Sequence, residues 1–387
     1  MDPVTDVDIA SIRVRAREWL ADADLPQLSE DFEERFRVLR HWHHTLFDAG
    51  LVGLSWPTHL GGQGLSAAHQ LAVTEELVKA GAPQPVGAIG LDVVGPSIVK
   101  YGTPEQHQRF VRPILSGAEV WCQGFSEPEA GSDLGSLRTR GSVTNDEIVI
   151  NGQKVWTSWA MQAQWCAVLV RTDPAAAKHR GISYVLVELT SPGITVRPIV
   201  QITGDAEFCE VFFDDVRVPR NQVLGELNGG WEILLDTLSH ERSSYAIRRR
   251  LELQLVFSAL VADMRARRTT ADATAHRKLG GAYAAMCGLG SLTRETAARL
   301  TEGHGPSALD SVDKLVLAAT EQKLCGAALD LMGPYRMAAS GNPHSAEAER
   351  RIKDYLYGRS ASVYGGSAQI QRSIIAERLL KLPRGAR

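Results

Sequence analysis

The sequence lacks most of the features that mark secreted, membrane-spanning or nucleic-acid-binding proteins. Its five cysteines form no C-x-x-C pair, so we expect free thiols in a reducing cytoplasm rather than disulfides. No run approaches the roughly 18 apolar residues of a spanning helix, and the acidic start lacks the basic residues of a secretory signal. The net charge of -3 shows no basic excess, which argues against nucleic acid and anionic membranes as partners.

What is present is a long chain with much apolar content. At 387 residues and 44% hydrophobic composition, it can bury two or three cores. The hydrophobic periodicity changes twice along it. We therefore predict a mostly α fold of the α+β class in three domains: a helical region over 1–117, a β-rich region over 118–225 and a helical bundle over 226–387.

The first region carries clear helix signals. Apolar residues recur at three and four positions from Phe36 to Phe47, and Gly50 follows as a helix terminator. A second run covers 67–79, and Thr103 followed by Pro104 is a helix cap with proline in the first turn. In the last region, helical patterns over 251–264, 277–300, 311–332 and 373–382 predict a bundle of antiparallel helices.

The middle region reads as short strands. β-rich runs cover 147–150, 167–172, 182–188, 194–196 and 210–213. Asn-Gly, Pro-Gly and polar clusters separate them, and Asn151-Gly152 in particular predicts a turn. These features indicate a small antiparallel barrel or sandwich.

The stretch 122–158 is the candidate ligand site. It combines hydroxyl side chains, glycines that expose backbone N–H groups, and Trp156 close to its end. A flat, polar heteroaromatic ligand needs donors at its edge and an aromatic wall. Taken singly, Trp156 reads equally well as a core residue and Ser126 as a turn cap; it is their combination that favours a binding site.

The same stretch resembles the acyl-CoA dehydrogenase family, whose members have TEPxAGSD followed by NGxKxWIT. Here these motifs read SEPEAGSD (126–133) and NGQKVWTS (151–158). WPTHLGGQGLS (56–66) and YGTPEQ (101–106) resemble the family's N-terminal domain. The resemblance implies an N-terminal helical domain, a middle β-barrel domain, a C-terminal four-helix bundle, and FAD as cofactor.

The resemblance also implies roles for individual residues. Residues expected at the isoalloxazine edge or beside the ring are Gln123, Phe125, Ser126, Trp156 and Ser158. Ser132 matches the family residue near the substrate pantetheine. Ser367 and Gln369 match positions on the adenine and phosphate side.

The catalytic base is not where many family members have it. Their Tyr-Glu-Gly-Thr segment reads Tyr364-Gly365-Gly366-Ser367 here, so Gly365 replaces the glutamate and keeps only a backbone N–H for the thioester oxygen. Isovaleryl and long-chain branches take the base from a mid-chain Leu-x-x-Glu-Arg, which matches LSHER (238–242). This implies Glu241 as the base, with Arg242 at the substrate. Helical pattern alone would make Glu241 a solvated, arginine-paired residue.

Two departures from the family concern the flavin diphosphate. The family's Arg-x-x-Phe-Gly is absent from the region 265–270, and Gln-x-x-Gly-Gly is altered to a segment that begins with Asp330. A carboxylate there would repel a diphosphate. These changes imply weaker flavin contact across subunits or a different partner subunit. Three segments (121–126, 177–183 and 202–208) look like those of actinobacterial steroid-degrading relatives, which implies a bulky or ring-bearing acyl group.

The resemblance therefore implies an FAD-dependent acyl-CoA dehydrogenase that forms a trans-2-enoyl thioester and passes electrons to an electron-transfer flavoprotein. We expect a homo-oligomer or a heteromer with a second acyl-CoA dehydrogenase subunit. The alternatives are an acyl-CoA oxidase, in which O₂ accepts the electrons, and a non-catalytic subunit of a heteromeric enzyme.

Overall fold

The computed structural model describes residues 7–29, 31–266, 272–302, 304, 307–337 and 345–383, except for the side chains of 240–244, 335 and 345. The chain divides into two compact units, 1–241 and 242–387. Among the described residues, none of the helices has both the length and the apolar character needed to cross a bilayer.

The helices of the first unit are α1 (Ile9–Asp22), α2 (Phe32–Asp48), α3 (Ala67–Lys79), α4 (Gly95–Tyr101) and α5 (Pro104–Ser116), followed by the start of α6 (Gly230–Ala266). Helices α2, α3 and α5 lie where the sequence signals over 36–47, over 67–79 and at Thr103 predict them. The hydroxyl of Thr103 accepts from Gln106 N–H, and the Gln106 side chain accepts from Thr103 N–H, so the predicted cap is confirmed. Gly50 has φ 65° just beyond α2, which confirms its predicted role as the terminator of this helix.

The β-rich region forms one sheet. Its strands are β1 (Trp121–Gly124), β2 (Arg140–Val143), β3 (Glu147–Ser158), β4 (Trp165–Arg171), β5 (Ile182–Glu188), β6 (Ile194–Ile199), β7 (Phe208–Pro219) and β8 (Val223–Leu224). Their order is β6-β7-β3-β2-β4-β5-β8, with β1 beside β4. Most pairs are antiparallel, as predicted, but β1 and β2 pair parallel to β4. Each is separated from β4 along the chain by at least one other strand, so neither pair is a hairpin.

The predicted turn at Asn151-Gly152 is wrong, because β3 continues through it. The structure places a β-bulge in the partner strand instead: Ile150 lies opposite Val216, and Gly152 lies opposite Phe213. The extra residue belongs to β7, where Asp215 has φ 48°. A Cβ on Gly152 would lie 2.7 Å from the Thr139 backbone, so the glycine permits a close approach between strands rather than a reversal of the chain.

The sheet has an apolar layer on each face. Alternate residues of β4 contribute to different cores: Trp165, Ala167 and Leu169 pack with residues of α1–α5. Cys166, Val168 and Val170 pack with residues from the other strands. A strand buried on both faces is a continuous apolar run, which is how β4 reads.

The second unit is helical. It contains the rest of α6 (Gly230–Ala266), then α7 (Ala273–Thr301), α8 (Asp310–Leu331), α9 (Ser345–Tyr357) and α10 (Ala368–Ile374). The predicted helix over 251–264 is only the last part of α6, which has 37 residues. The predicted helix over 373–382 is misplaced, because the helical segment begins at Ala368 and ends at Leu379. Helix α9 was not predicted.

Buried charges run along α8. Asp310 pairs with Arg299 at 2.5 Å, Asp313 accepts from the Thr296 hydroxyl at 2.6 Å, and Glu321 pairs with Arg249 at 2.6 Å. Buried charges are tolerated when each one is paired and hydrogen-bonded. These polar residues lie at buried positions of α8 together with apolar ones such as Leu317 and Leu324.

In the first unit, Glu76 holds α1 to α3. Its carboxylate, only 4% exposed, accepts from Arg13 at 2.9 Å, Arg17 at 3.1 Å and Lys79 at 2.9 Å. Burial opposes its ionisation, but hydrogen bonds from the three cations outweigh burial and lower the pKa of Glu76 from 4.5 to about 2. A carboxylate with a lowered pKa stabilises the fold above its unfolded pKa, and this contribution is lost as the pH falls through the folded pKa.

We therefore expect Glu76→Gln to lower the free energy of unfolding at pH 7 by about 1–2 kcal/mol, allowing for solvent screening of the exposed cations. The difference from wild type should shrink between pH 5 and pH 2, which brackets the two pKa values. Urea unfolding across this pH range measures it. Glu129→Gln, in an exposed pair with Arg138, is the control. A difference that is the same at pH 3 and pH 7 would contradict the assignment.

Candidate active site

The loop that follows β1 is held against the end of β3. Val155 N–H donates to Ser126 C=O at 3.0 Å, so the SEPEAGSD and NGQKVWTS motifs lie side by side. Ser126 and Ser158 are half-buried, whereas Trp156 is exposed. Phe125 is buried and packs edge-to-face on Tyr184, so contact between this residue and a ligand would be through its backbone.

A buried ion pair joins the two motifs. Lys154 is fully buried and donates to Glu127 Oε1 at 2.8 Å and to Phe125 C=O at 3.1 Å. Glu127 also accepts from the backbone N–H groups of Arg138 and Thr139 at 2.7 and 2.8 Å. One carboxylate and one ammonium thus fix both ends of the loop to β3.

The pKa values of this pair follow from burial and mutual attraction. Burial lowers the pKa of Lys154, and the charge of Glu127 opposes that effect. Burial also disfavours ionised Glu127, but the charge and hydrogen bonds of Lys154, together with the two backbone donors, keep its pKa below the ordinary value. We conclude that Glu127 is ionised, because its neutral form would leave Lys154 as an uncompensated buried charge.

A second bulge sets which way Trp156 faces. Lys154 lies opposite Val211, and Thr157 lies opposite Cys209, so here the extra residue belongs to β3. Trp156 has φ 60°, an uncommon conformation for a bulky residue. A one-residue slip exchanges the two faces of a strand. Before the bulge the inward residues of β3 are even-numbered (148, 150 and 154), and after it Thr157 faces inward. The Trp156 side chain therefore faces outward and is 58% exposed.

One buried oxygen atom tests whether a flavin fits. Gln123 Oε1, on β1, has no hydrogen-bond partner among the described residues. Thr157 Oγ1 has none either, but Thr157 lies on the inward face of β3, away from the exposed indole. A buried polar atom without a partner costs free energy, and the edge of an isoalloxazine ring offers both donors and acceptors. The exposed indole supplies the aromatic wall, so the interpretation of Trp156 as a core residue is wrong. The residues present fit a flavin.

Ser132 lies on a braced part of the same loop. It is exposed, and its neighbour Asp133 pairs with Lys178 at 2.5 Å. Arg171 donates to Gly135 C=O at 2.7 Å and to Lys178 C=O at 3.1 Å. The connection between β4 and β5 therefore holds this loop in place, and the Ser132 hydroxyl is open to a ligand from solvent.

In the second unit, the residues around Gly365 form a short clamped loop. Ser367 caps α10 by accepting from Ile370 N–H at 3.4 Å, and Gln369 is exposed on this helix. Gln371 Nε2 donates to the carbonyls of Gly365 and Gly366 at 2.8 and 3.2 Å. The structure therefore uses Ser367 at least as a helix cap.

Position 241 lies on α6, as does Arg242. The side chains of Glu241 and Arg242 lie outside the described residues, so their assignments stay predictions.

Comparison with known proteins identifies the fold. Profiles of the acyl-CoA dehydrogenase N-terminal, middle and C-terminal domains match residues 8–118, 122–216 and 228–380. Acyl-CoA dehydrogenase IpdE1 of Mycobacterium tuberculosis is 41% identical over 98% of this chain and 99% of its own length. The chain belongs to the acyl-CoA dehydrogenase family. It is thus an oxidoreductase of the class that acts on CH–CH groups.

Solved structures of acyl-CoA dehydrogenases agree with this. The Tcur3481-Tcur3483 steroid ACAD has 29% identity and a TM-score of 0.87, covering all of both chains. The ChsE4-ChsE5 complex from Mycobacterium tuberculosis has 28% identity and a TM-score of 0.84 at the same coverage. The three-domain architecture, with helical N- and C-terminal domains and a middle sheet domain, is confirmed.

Asp330 stands where the acyl-CoA dehydrogenase pattern has a glutamine, and its negative charge is partly compensated. Asp330 pairs with Lys278 of α7 at 2.5 Å, so its charge is not isolated. The pair is about half exposed, and such pairs contribute little to stability. Of the altered segment 265–270, residues 267–270 lie outside the described part of the chain.

Sequence reasoning missed two residues of the loop site in the first unit and one residue of the Gly365 loop in the second. Glu127 and Lys154 were inside the two motifs, but isolated charged residues usually lie at the surface. The signal was the alternation of β3, in which 148, 150 and 154 share one face. Gln371 was missed because nothing in the sequence marks a side chain that reaches back to carbonyls five and six residues earlier.

Proposed function

We propose that this chain is an FAD-dependent acyl-CoA dehydrogenase that oxidises an acyl-CoA thioester to its trans-2-enoyl product. Members of the family generally bind FAD and carry out this reaction. The observation that supports it most is the loop of Phe125 and Ser126 fixed to β3, together with an exposed Trp156 on β3 and a buried Gln123 oxygen on β1 that lacks a partner among the described residues. Turns and packing alone do not account for that combination.

The chain's own residues would bind the substrate and move one proton. Glu241 takes the proton from Cα of the thioester, which is a weak carbon acid. The N–H of Gly365 donates to the thioester oxygen and stabilises the negative charge that develops there. FAD, which Gln123, Phe125, Ser126, Trp156 and Ser158 would hold, would supply the two-electron acceptor for the hydride that leaves Cβ. Ser132 contacts the pantetheine, and Arg242 stands beside the thioester end.

The proposal for the substrate and the partners rests on the names of similar proteins. Two of the similar structures are named as a steroid ACAD and as a two-protein ChsE4-ChsE5 complex. We propose a bulky or steroid-derived acyl group, an electron-transfer flavoprotein as electron acceptor, and a homo-oligomer or a heteromer with a second acyl-CoA dehydrogenase subunit. A cytoplasmic location and domain boundaries near 117/118 and 225/226 complete the proposal.

Anaerobic titration of the purified flavoprotein with thioesters tests the function. We expect the flavin absorbance to bleach with at least one member of a series of short, branched, long and steroid-side-chain CoA thioesters. The electrons should then pass to an electron-transfer flavoprotein. Bleaching followed by fast peroxide release in air would favour an acyl-CoA oxidase. A colourless protein that cannot be loaded with FAD, alone or with a partner subunit, would favour the non-catalytic subunit.

A further inference from the structure

A buried pair of tyrosines lies directly before the Gly365-Gly366 loop. The hydroxyl groups of Tyr364 and Tyr245 are hydrogen-bonded at 2.5 Å, and the two rings meet edge-to-face at 5.8 Å. Tyr245 belongs to α6, four residues beyond position 241. The loop is thus tied to the helix that carries the proposed base.

A buried lysine of α8 lies over the same pair. Lys314 is 5% exposed, and its Nζ lies 3.9 Å from the centroid of the Tyr364 ring and 5.6 Å from that of Tyr245. The attraction between a desolvated cation and the face of an aromatic ring has an energy that is a substantial fraction of that of a hydrogen bond. Tyr245 of α6 therefore binds the hydroxyl of Tyr364, and Lys314 of α8 contacts its ring.

The side chains of Tyr245 and Tyr364 both stay neutral in this buried environment. Burial raises the pKa of Tyr245 to about 12, and burial followed by the charges of its neighbours raises the pKa of Tyr364. A neutral hydroxyl can donate to the other hydroxyl, whereas a phenolate pair would repel. The link between the two tyrosines is therefore present over the whole pH range in which an acyl-CoA dehydrogenase is assayed.

The loop beyond Tyr364 is held at its carbonyls. Gly365 and Gly366 have φ values of 62° and 89°, and Gln371 occupies both carbonyl oxygens. The N–H of Gly365 belongs to the planar peptide group that joins Tyr364 to Gly365. Tyr364 fixes one end of this group, and the hydrogen bond from Gln371 to the Gly365 carbonyl restrains the residue at its other end. Within the described residues, no protein acceptor takes the N–H of Gly365. This leaves the amide available to a ligand.

We propose that Tyr245, Tyr364 and Lys314 are positioning residues, which hold the Gly365 amide where it donates to the thioester oxygen. This rests on the proposed function. A donor to a developing oxyanion contributes only when it lies about 2.7–3.1 Å from that oxygen. Position 365 carries no side chain of its own, so the placement of its amide depends on Tyr364 on one side and Gln371 on the other.

The test uses Tyr245→Phe in the full-length holoprotein, with Tyr283→Phe as control because Tyr283 is exposed on α7. We expect Tyr245→Phe to lower kcat about tenfold, with KM and flavin content within twofold of wild type. A 3-oxoacyl-CoA analogue supplies a readout that needs no turnover, because its enolate absorbs and a good oxyanion donor lowers its pKa. That pKa should rise by about one unit in Tyr245→Phe and stay unchanged in Tyr283→Phe.

The outcomes separate this proposal from simple packing and from the proposed function. An unchanged analogue pKa in Tyr245→Phe, with or without a loss of thermal stability, would mean that the pair only packs, and the proposal would fail. A raised analogue pKa supports it even if no thioester bleaches the wild-type flavin, a result that would count against the proposed function alone. Lys314→Met should shift the analogue pKa in the same direction, and a shift in the opposite direction would overturn the role of the cation.

Discussion

Glu241→Gln is expected to keep its flavin and lose substrate bleaching. A positioned general base contributes typically 10²–10⁴-fold in rate, so we expect the rate of flavin reduction by a saturating thioester to fall by about that factor. Glutamine has nearly the same size and cannot accept the α-proton. Stopped-flow reduction under anaerobic conditions measures the change, and the ratio of flavin to protein absorbance verifies that the cofactor remains bound.

Glu232→Gln provides the control for this substitution, because it lies on the first turn of the same helix α6. We expect it to reduce flavin at the wild-type rate. In wild type the rate should rise with pH through the pKa of the base, and this rise should vanish in Glu241→Gln. If Glu241→Gln is reduced as fast as wild type, another acid removes the proton, and the carry-over of the Leu-x-x-Glu-Arg pattern is wrong.

Lys154→Met is expected to have the largest effect on the fold of the first unit. Removing one partner of a buried ion pair costs about 3–5 kcal/mol, because the other charge is left uncompensated. Glu127 would then face an apolar side chain, and Phe125 C=O would lose its donor. The loop that carries Ser126 is fixed to β3 through these contacts, so we also expect the purified variant to have lost most of its flavin.

Denaturant unfolding and flavin content measure both effects. Lys178→Met is a matched control, because Lys178 pairs with Asp133 of the same loop but is 39% exposed. An exposed pair contributes about 0–1 kcal/mol, so the control should unfold almost as wild type does. The double variant Lys154→Met with Glu127→Gln should recover only part of the stability. The N–H groups of Arg138 and Thr139 donate to different oxygens of the Glu127 carboxylate, and a glutamine amide offers them only one acceptor oxygen. A single variant with full flavin content and less than about 1 kcal/mol of destabilisation would refute the role of the pair.

Local signals predicted the elements that depend on local physics. Helix α3 has the predicted bounds because the signals that define it are local. Its apolar face lies within the segment, and Gly81 and Pro83 follow directly after it. The cap at Thr103 is likewise a matter of four consecutive residues. Helix α9 was missed because its sequence is strongly charged. A helical pattern around Glu241 was recognised, but the predicted bounds of 251–264 left out the first part of α6 because polar residues interrupt its apolar pattern.

The features that failed depend on contacts that are distant in sequence. Asn151-Gly152 has the composition of a tight turn, but β3 continues because β2 and β7 pair with its two edges. The close approach of Thr139 decides the role of the glycine. The bulge at Trp156 depends on the register with β7, which no pattern within β3 contains. The family motifs contain both Lys154 and Glu127, but only the structure shows that the two residues pair.

The left-handed backbone of Trp156 has a consequence for protein engineering. Such a conformation costs a non-glycine residue about 1–2 kcal/mol, and glycine relieves it at the expense of about 0.5–1 kcal/mol of added freedom in the unfolded chain. The backbone therefore tolerates glycine at this position about as well as the native residue, at the loss of the edge-to-face contact with Phe208. Directed evolution that selects for heat resistance or expression yield alone would exert little pressure against the Trp156→Gly substitution, which removes the indole face.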